Sequence, residues 1–218
     1  MLRGRDIKRY RAEFADLYLI ATFPSRNYDI ETFPAVKKHL ETYLPKIKQT
    51  GETFINKEGK KEKTRKKTEN KWFETQDSIN YWEDFNKQKI IYPNMTKYLP
   101  FILDEQNYMT NQKCFILTGE SLAYLTSFLN TKIAHFWIKL NLPELQGGTR
   151  ELSKIFFENI RIPIIDQKNQ LWYVEKVNNI IESKEMGTNT AEIEKTINKN
   201  FYELMELTAE EIKFIEAS

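Results

Sequence analysis

Ile90-Ile91-Tyr92, closed by Pro93-Asn94, restricts the fold of this 218-residue chain more than any other stretch. Three successive large apolar residues, two of them β-branched, stop at a turn signal. Such a run reads as a strand largely buried in a sheet. The approach to it is rich in aromatic residues (Trp72, Phe73, Tyr81, Trp82, Phe85), and Lys71 opens that approach. The ends of a buried strand are where a scaffold holds functional loops rigidly.

Other segments supply the rest of a core. Tyr18-Leu19-Ile20-Ala21-Thr22 reads as a strand, and so does Lys113-Cys114-Phe115-Ile116-Leu117. Pro34 occupies a first helical position, and Val36, Leu40, Tyr43 and Leu44 then recur at helical spacing until Pro45 ends or kinks the helix. A second helix follows Thr118-Gly119, with Leu122, Leu125, Leu129 and Ile133 on one stripe that continues to Phe136 and Trp137. Asn159–Ile165 reads as a strand carrying an edge proline, Pro163. Past residue 168 the pattern is helical throughout. Val174, Val177 and Ile181 begin one helix, Ile193, Ile197, Phe201 and Leu204 line a second, and Thr208-x-x-Glu211 is a capping box opening a third. The expectation is an α+β fold: a mixed-sheet body with packed helices over residues 1–168, then a helical segment over 169–218 that packs on the body or on a partner. With 14 Phe and 11 Tyr, the core should be rich in aromatic rings.

Charge is distributed unevenly. The chain has a formal net charge of only +2, yet Lys46 to Lys71 holds ten Lys/Arg against four Asp/Glu, so the remainder is net negative. Segregation of this kind points to a polyanion partner. Residues 46–70 have almost no large apolar side chains and are expected to form a long mobile loop or a β-hairpin extension. On it Lys60, Lys61, Lys63, Arg65, Lys66 and Lys67 are candidate phosphate contacts, although a merely solvated insertion would look the same. A second basic cluster (Arg3, Arg5, Lys8, Arg9, Arg11) opens the chain and is equally open to either reading. Gly147-Gly148-Thr149-Arg150 combines a permissive turn with an arginine, which suits a phosphate or an ordinary helix-to-strand turn.

Several function classes find no support. The single cysteine, Cys114, excludes an internal disulfide and a multi-cysteine zinc site, in keeping with a reducing cytoplasm. No apolar run approaches the roughly 18 residues needed to span a bilayer. No glycine-rich phosphate loop, HExxH or GxSxG is present. His39 and His135 lack partners at ligand spacing. Asp166, with Glu182 and Lys184 downstream, loosely matches the acidic pair and lysine of a metal-dependent nuclease, but Glu182 and Lys184 should face different sides of a helix.

The ordered set LRGRDIKRY (2–10), FPAVKKHLE (33–41), KWFE (71–74), KQKIIYPNM (87–95), SFLNTKIAHFW (127–137), GGTREL (147–152) before IRIPI, and FYELMELTAEEIKFI (201–215) resembles the TaqI-like C-terminal specificity domain. That domain belongs to type II restriction-modification enzymes that fuse cleavage and adenine methylation. The resemblance implies a target recognition domain for double-stranded DNA, without catalytic residues or cofactor of its own. S-adenosylmethionine and magnesium are expected only on methyltransferase and nuclease domains absent from this chain, which is then a fragment or a stand-alone specificity subunit. Family resemblance fixes neither the lysine-rich insertion nor any base-reading residue.

The resulting expectation is a domain forming one wall of a DNA cleft. Lys60 to Lys71 and Arg150 would hold phosphates, while Asn94, Thr96, Lys97 and Thr149 at loop tips would read base edges. Trp72 is more simply a core residue than a stacking one. The competing readings are a protein-interaction module of the same restriction system and a nuclease using Asp166 and Glu182.

Overall fold

The computed structural model describes residues 1–218, with the side chain of Phe156 excepted. In chain order the elements are β1 (Ile7–Lys8), β2 (Arg11–Ala12), α1 (Pro34–Glu41), β3 (Thr53–Ile55), β4 (Lys61–Lys63), β5 (Lys89–Pro93), β6 (Met95–Thr96), β7 (Ile102–Asp104) and β8 (Cys114–Leu117). There follow α2 (Leu122–Leu129), α3 (Lys132–Asn141), β9 (Arg150–Glu151), α4 (Lys154–Phe157), α5 (Gln167–Glu185), α6 (Ala191–Leu204) and α7 (Ala209–Glu216). The fold is α+β. Two compact units divide it: Met1–Leu17 with Glu83–Ser218, and Tyr18–Trp82.

In the larger unit β5 is the middle strand of a three-stranded antiparallel sheet ordered β7-β5-β8. All five β5 residues are buried, because both faces of the strand are covered. Ile90 and Tyr92 face the main core with Leu99, Phe101, Leu122 and Phe128. Ile91 faces the other way, onto Leu2, Ile7, Ile102 and Cys114. At the strand's start Lys89 is fully buried opposite its register partner Asp104, with 2.5 Å between Nζ and Oδ2. The lysine also donates to Phe85 O at 2.7 Å, and Asp104 accepts from the amides of Gln106 and Tyr108. Every strong polar group of this buried pair therefore has a partner, as burial demands.

The helical ending shares that main core. Tyr173 and Val177 of α5 and Phe201 of α6 pack with Tyr124 and Phe128 of α2, and Tyr173 lies 4.7 Å from Phe201 between ring centroids. Thr208 and Glu211 form the expected capping box of α7.

Three expectations are corrected. The apolar stripe beginning at Leu122 belongs to two helices, not one. Asn130 takes over the backbone bonds at the break: its amide donates to Phe101 O and Thr126 O and its oxygen accepts from Phe101 N, while Thr131 caps α3. Residues 18–22 form no strand; Tyr18 is 81% exposed, and the segment lacks a partner strand among the described residues. Residues 159–165 form no strand. Ile160, Ile162 and Ile165 pack on the core, while Ile164 is 99% exposed and Pro163 O accepts from the Tyr124 hydroxyl at 2.7 Å.

The smaller unit, Tyr18–Trp82, has few buried apolar residues: Phe23, Ile30, Ile47 and Phe73. Hydrogen bonds from side chains do much of the ordering. Buried Gln49 donates to the carbonyls of Lys71 and Glu74 and accepts from the Thr68 hydroxyl at 2.6 Å, tying three stretches of chain together. Trp72 is half-buried with its ring edge-on to Phe73.

Candidate nucleic-acid interface

The lysine-rich stretch of the smaller unit is an ordered hairpin. β3 and β4 pair antiparallel with Thr53 opposite Lys63, Phe54 opposite Glu62 and Ile55 opposite Lys61. Asn56 makes the turn: its side-chain oxygen accepts from the amides of Glu58 and Lys60, and Gly59 takes the positive φ of +78° that the turn requires. A low apolar content left the choice between loop and hairpin open because the stabilising groups here are amides and hydroxyls, including the buried Thr64 hydroxyl, which donates to Glu52 O.

Strand alternation then sorts the charges. Phe54 and Glu62 lie on the half-buried face, where Glu62 is held below the ordinary carboxylate range by hydrogen bonds from Asn56 and then Lys46. Thr53, Ile55, Lys61 and Lys63 share the exposed face. Lys66 and Lys67 follow, also exposed. None of these four lysines has an acidic partner among the described residues. Lys60 is exposed and pairs with Glu58 at 2.9 Å, a surface pair weak enough to exchange for a phosphate. Arg65 and Lys71 are engaged elsewhere. The Arg65 guanidinium donates to Glu74 O at 3.0 Å, and Lys71 Nζ donates to Tyr28 O at 3.2 Å, so both hold the unit together. Lys57, not singled out from the sequence, is exposed in the hairpin turn.

The other candidates meet in the larger unit, at the C-terminal end of β5. β6 pairs with β9, setting Thr96 opposite Arg150 and Met95 opposite Glu151. Asn94 is fixed on both sides, its amide donating to Lys113 O and its carbonyl accepting from Leu152 N. Asn94, Thr96, Lys97, Thr149 and Arg150 are thus brought together by one short ribbon. Distance in sequence concealed this, since β6 and β9 are more than fifty residues apart.

Their side chains are not equivalent. Those of Asn94, Lys97 and Thr149 have no hydrogen-bond partner among the described residues. Thr96 Oγ1 accepts from the amides of Tyr98 and Leu99 and so organises the turn. Arg150 is mostly buried and its Nη1 lies 2.6 Å from Glu144 Oε2, so a phosphate would have to displace that carboxylate. Lys113 also belongs to this end, exposed at the start of β8, and the turn through Arg3-Gly4-Arg5 lies against it. A Cβ built on Gly4 would sit 3.2 Å from Lys113 O and 3.4 Å from Pro93 Cβ, so glycine is what permits the approach. Exposed Arg5 is carried there with it. Within the opening basic cluster, Arg3 is forked onto Asp6 and Arg9 pairs with Glu194 at 2.7 Å.

Asp166 and Glu182 cannot share a metal ion. Asp166 caps α5, accepting from Asn169 N at 2.8 Å, and Glu182 lies sixteen residues further on, about 24 Å along the axis. Lys184 faces Glu194. Among the described residues no group of three His, Cys, Asp or Glu side chains is placed to hold a metal.

Residues 1–164 match the family model of the TaqI-like C-terminal specificity domain, which covers well over half of the chain. The chain belongs to that family. No curated protein matches it. As a TaqI-like specificity domain it has a DNA-recognition role in restriction-modification systems. Specificity domains of this kind are in general not the catalytic part of such systems. Among the described residues of this one, no helix is long and apolar enough to cross a membrane.

Proposed function

We propose that this specificity domain binds a DNA duplex and presents it to catalytic domains for adenine methylation and cleavage. The observation that carries this reading is the exposed, unpaired set Lys61, Lys63, Lys66 and Lys67 on an ordered hairpin. Lysines without internal partners lose nothing when they meet phosphates, and each contact releases condensed counterions. Asn94, Lys97 and Thr149, with free polar ends on the β6–β9 ribbon, are the candidates for base edges; Thr96 supports their turn. In this reading S-adenosylmethionine and magnesium are held by the catalytic domains, which form the other wall of the cleft.

The test is fluorescence anisotropy of a mixed-sequence labelled duplex from about 50 to 200 mM salt, where a protein making several phosphate contacts loses orders of magnitude in affinity. A steep negative salt slope supports the reading. A flat response, or no binding at the low end, favours the competing role as a docking module. That role has its own observation, the exposed apolar side chains of Ile155, Ile164 and Leu171 on the larger unit.

A further inference from the structure

Tyr98 is 79% exposed on the turn that follows β6, and Met95, three residues earlier on β6, is 48% exposed. Local hydrogen bonds and a buried neighbour fix the backbone of this turn. Thr96 Oγ1 accepts from the amides of Tyr98 and Leu99, at 3.0 and 3.3 Å. Leu99 adopts a left-handed φ of +48°, which a residue with a branched side chain disfavours, and it does so while 2% exposed in the main core. Phe101, two residues on, is pinned through both its amide and its carbonyl by Asn130. A strained residue anchored by burial on one side and an ST-type turn on the other displays Tyr98 outward. Strain that the surroundings hold in place is a pointer to function.

The ring stands among groups suited to nucleic acid. Lys97 precedes it, exposed, and packs its stem towards Gly148, whose φ of +80° and missing Cβ leave the ribbon's turn open to close approach. Thr149 and Asn94 belong to the same ribbon, with free polar ends. An exposed aromatic ring and a thioether set among cations and amides offer apolar faces to a partner whose own apolar faces are flat, and the bases of DNA fit that description.

We infer that Tyr98 stacks on or wedges into a base step of the bound duplex and partly unstacks it. The inference rests on the DNA-recognition reading of the β6–β9 ribbon and assigns a contact to a residue outside the polar set. The hydrogen-bonding side chains would fix register, and the ring would read how easily one step opens.

The experiment uses the full chain and a preferred duplex selected from a random pool, with 2-aminopurine placed in turn at each position. Wild-type protein should raise the fluorescence at one step. Tyr98→Ala should weaken binding by about 5- to 150-fold, the span of a lost base–aromatic stack, and should abolish that rise even at saturation. Tyr98→Phe should keep both, and the double variant Lys66→Glu, Lys67→Glu should weaken binding yet keep the rise at saturation. A Tyr98→Ala protein that binds within twofold of wild type and gives the full rise overturns the inference while leaving DNA recognition intact. Loss of the rise in Tyr98→Phe also overturns it, since the hydroxyl and not the ring would then be acting. Absence of salt-dependent binding by the wild type removes the reading and the inference together.

Discussion

Lys89 and Asp104 are a buried ion pair whose every neighbour is accounted for, and the consequence is asymmetric. Lys89→Met leaves the carboxylate buried and unpaired, which should cost about 3–5 kcal/mol in urea unfolding. Adding Asp104→Asn removes the stranded charge while keeping an acceptor for the Gln106 and Tyr108 amides, so the double variant should recover much of the loss. His135 makes a second residue-level prediction. Burial first, and then the nearby Arg9 charge, push its pKa down to about 3, opposed by a backbone hydrogen bond at Leu99. Its folded pKa lies below the unfolded value of about 6.5, so the unfolded chain takes up a proton that the folded chain refuses. Stability should therefore fall as pH drops below about 6.5, by up to about 1.4 kcal/mol per unit. Asp6, held low by its hydrogen bond from Arg3, begins to contribute only in the carboxylate range. Urea midpoints between pH 6.5 and 5 thus report chiefly on the histidine, and His135→Leu should flatten that slope whatever it does to the midpoint itself.

At the scale of elements, the hairpin is the piece whose charge can be changed without touching a core. Lys66 and Lys67 are exposed and unpaired, so reversing both should leave the unfolding transition in place. Two lost phosphate contacts should lower the magnitude of the logarithmic salt slope by roughly 1.8. Affinity should fall by a similar factor for preferred and unrelated duplexes, because phosphate contacts carry no base information. A change in the preferred sequence would instead move these lysines into the base-reading set. Much of the element inventory was legible beforehand. β5 and β8 announced themselves as apolar runs, and the capping box gave the start of α7. The missed elements have a common cause. Residues 18–22 and 159–165 carry strand-like composition, but a strand needs a neighbour to share its backbone bonds, and sequence composition does not supply one.

For the whole molecule, the family match ends at residue 164 while the main core does not. Tyr173, Val177, Ile180, Ile197, Phe201, Tyr202 and Ile215 are buried in it. At about 1.5–3 kcal/mol for each large side chain taken from water, their loss would match or exceed the whole stability of an ordinary domain, about 5–15 kcal/mol. A chain ending at Asp166 should therefore give no cooperative unfolding transition and should bind a dye for exposed apolar surface, as judged by denaturant titration and ANS fluorescence. Partial retention of a cooperative transition would place the essential core within the sheet and α2 alone.

The sequence by itself determined the buried strand, the helical ending, the aromatic character of the core, the position of the positive charge and the resemblance that the family match bears out over residues 1–164. These are local or compositional properties, readable from residue type and spacing. Tertiary structure alone decided which charges are free. Arg65, Lys71 and Arg150 carry the same formal charge as Lys61 or Lys67, but Arg65 and Lys71 donate to Glu74 O and Tyr28 O, and Arg150 is ion-paired with Glu144. It also decided that Asn94 and Thr149 share a ribbon and that Leu99 holds Tyr98 outward. Each of those facts depends on a partner outside the residue's own element or turn, some near and some far along the chain, and a hydrogen bond or an ion pair exists only once folding has brought both ends together.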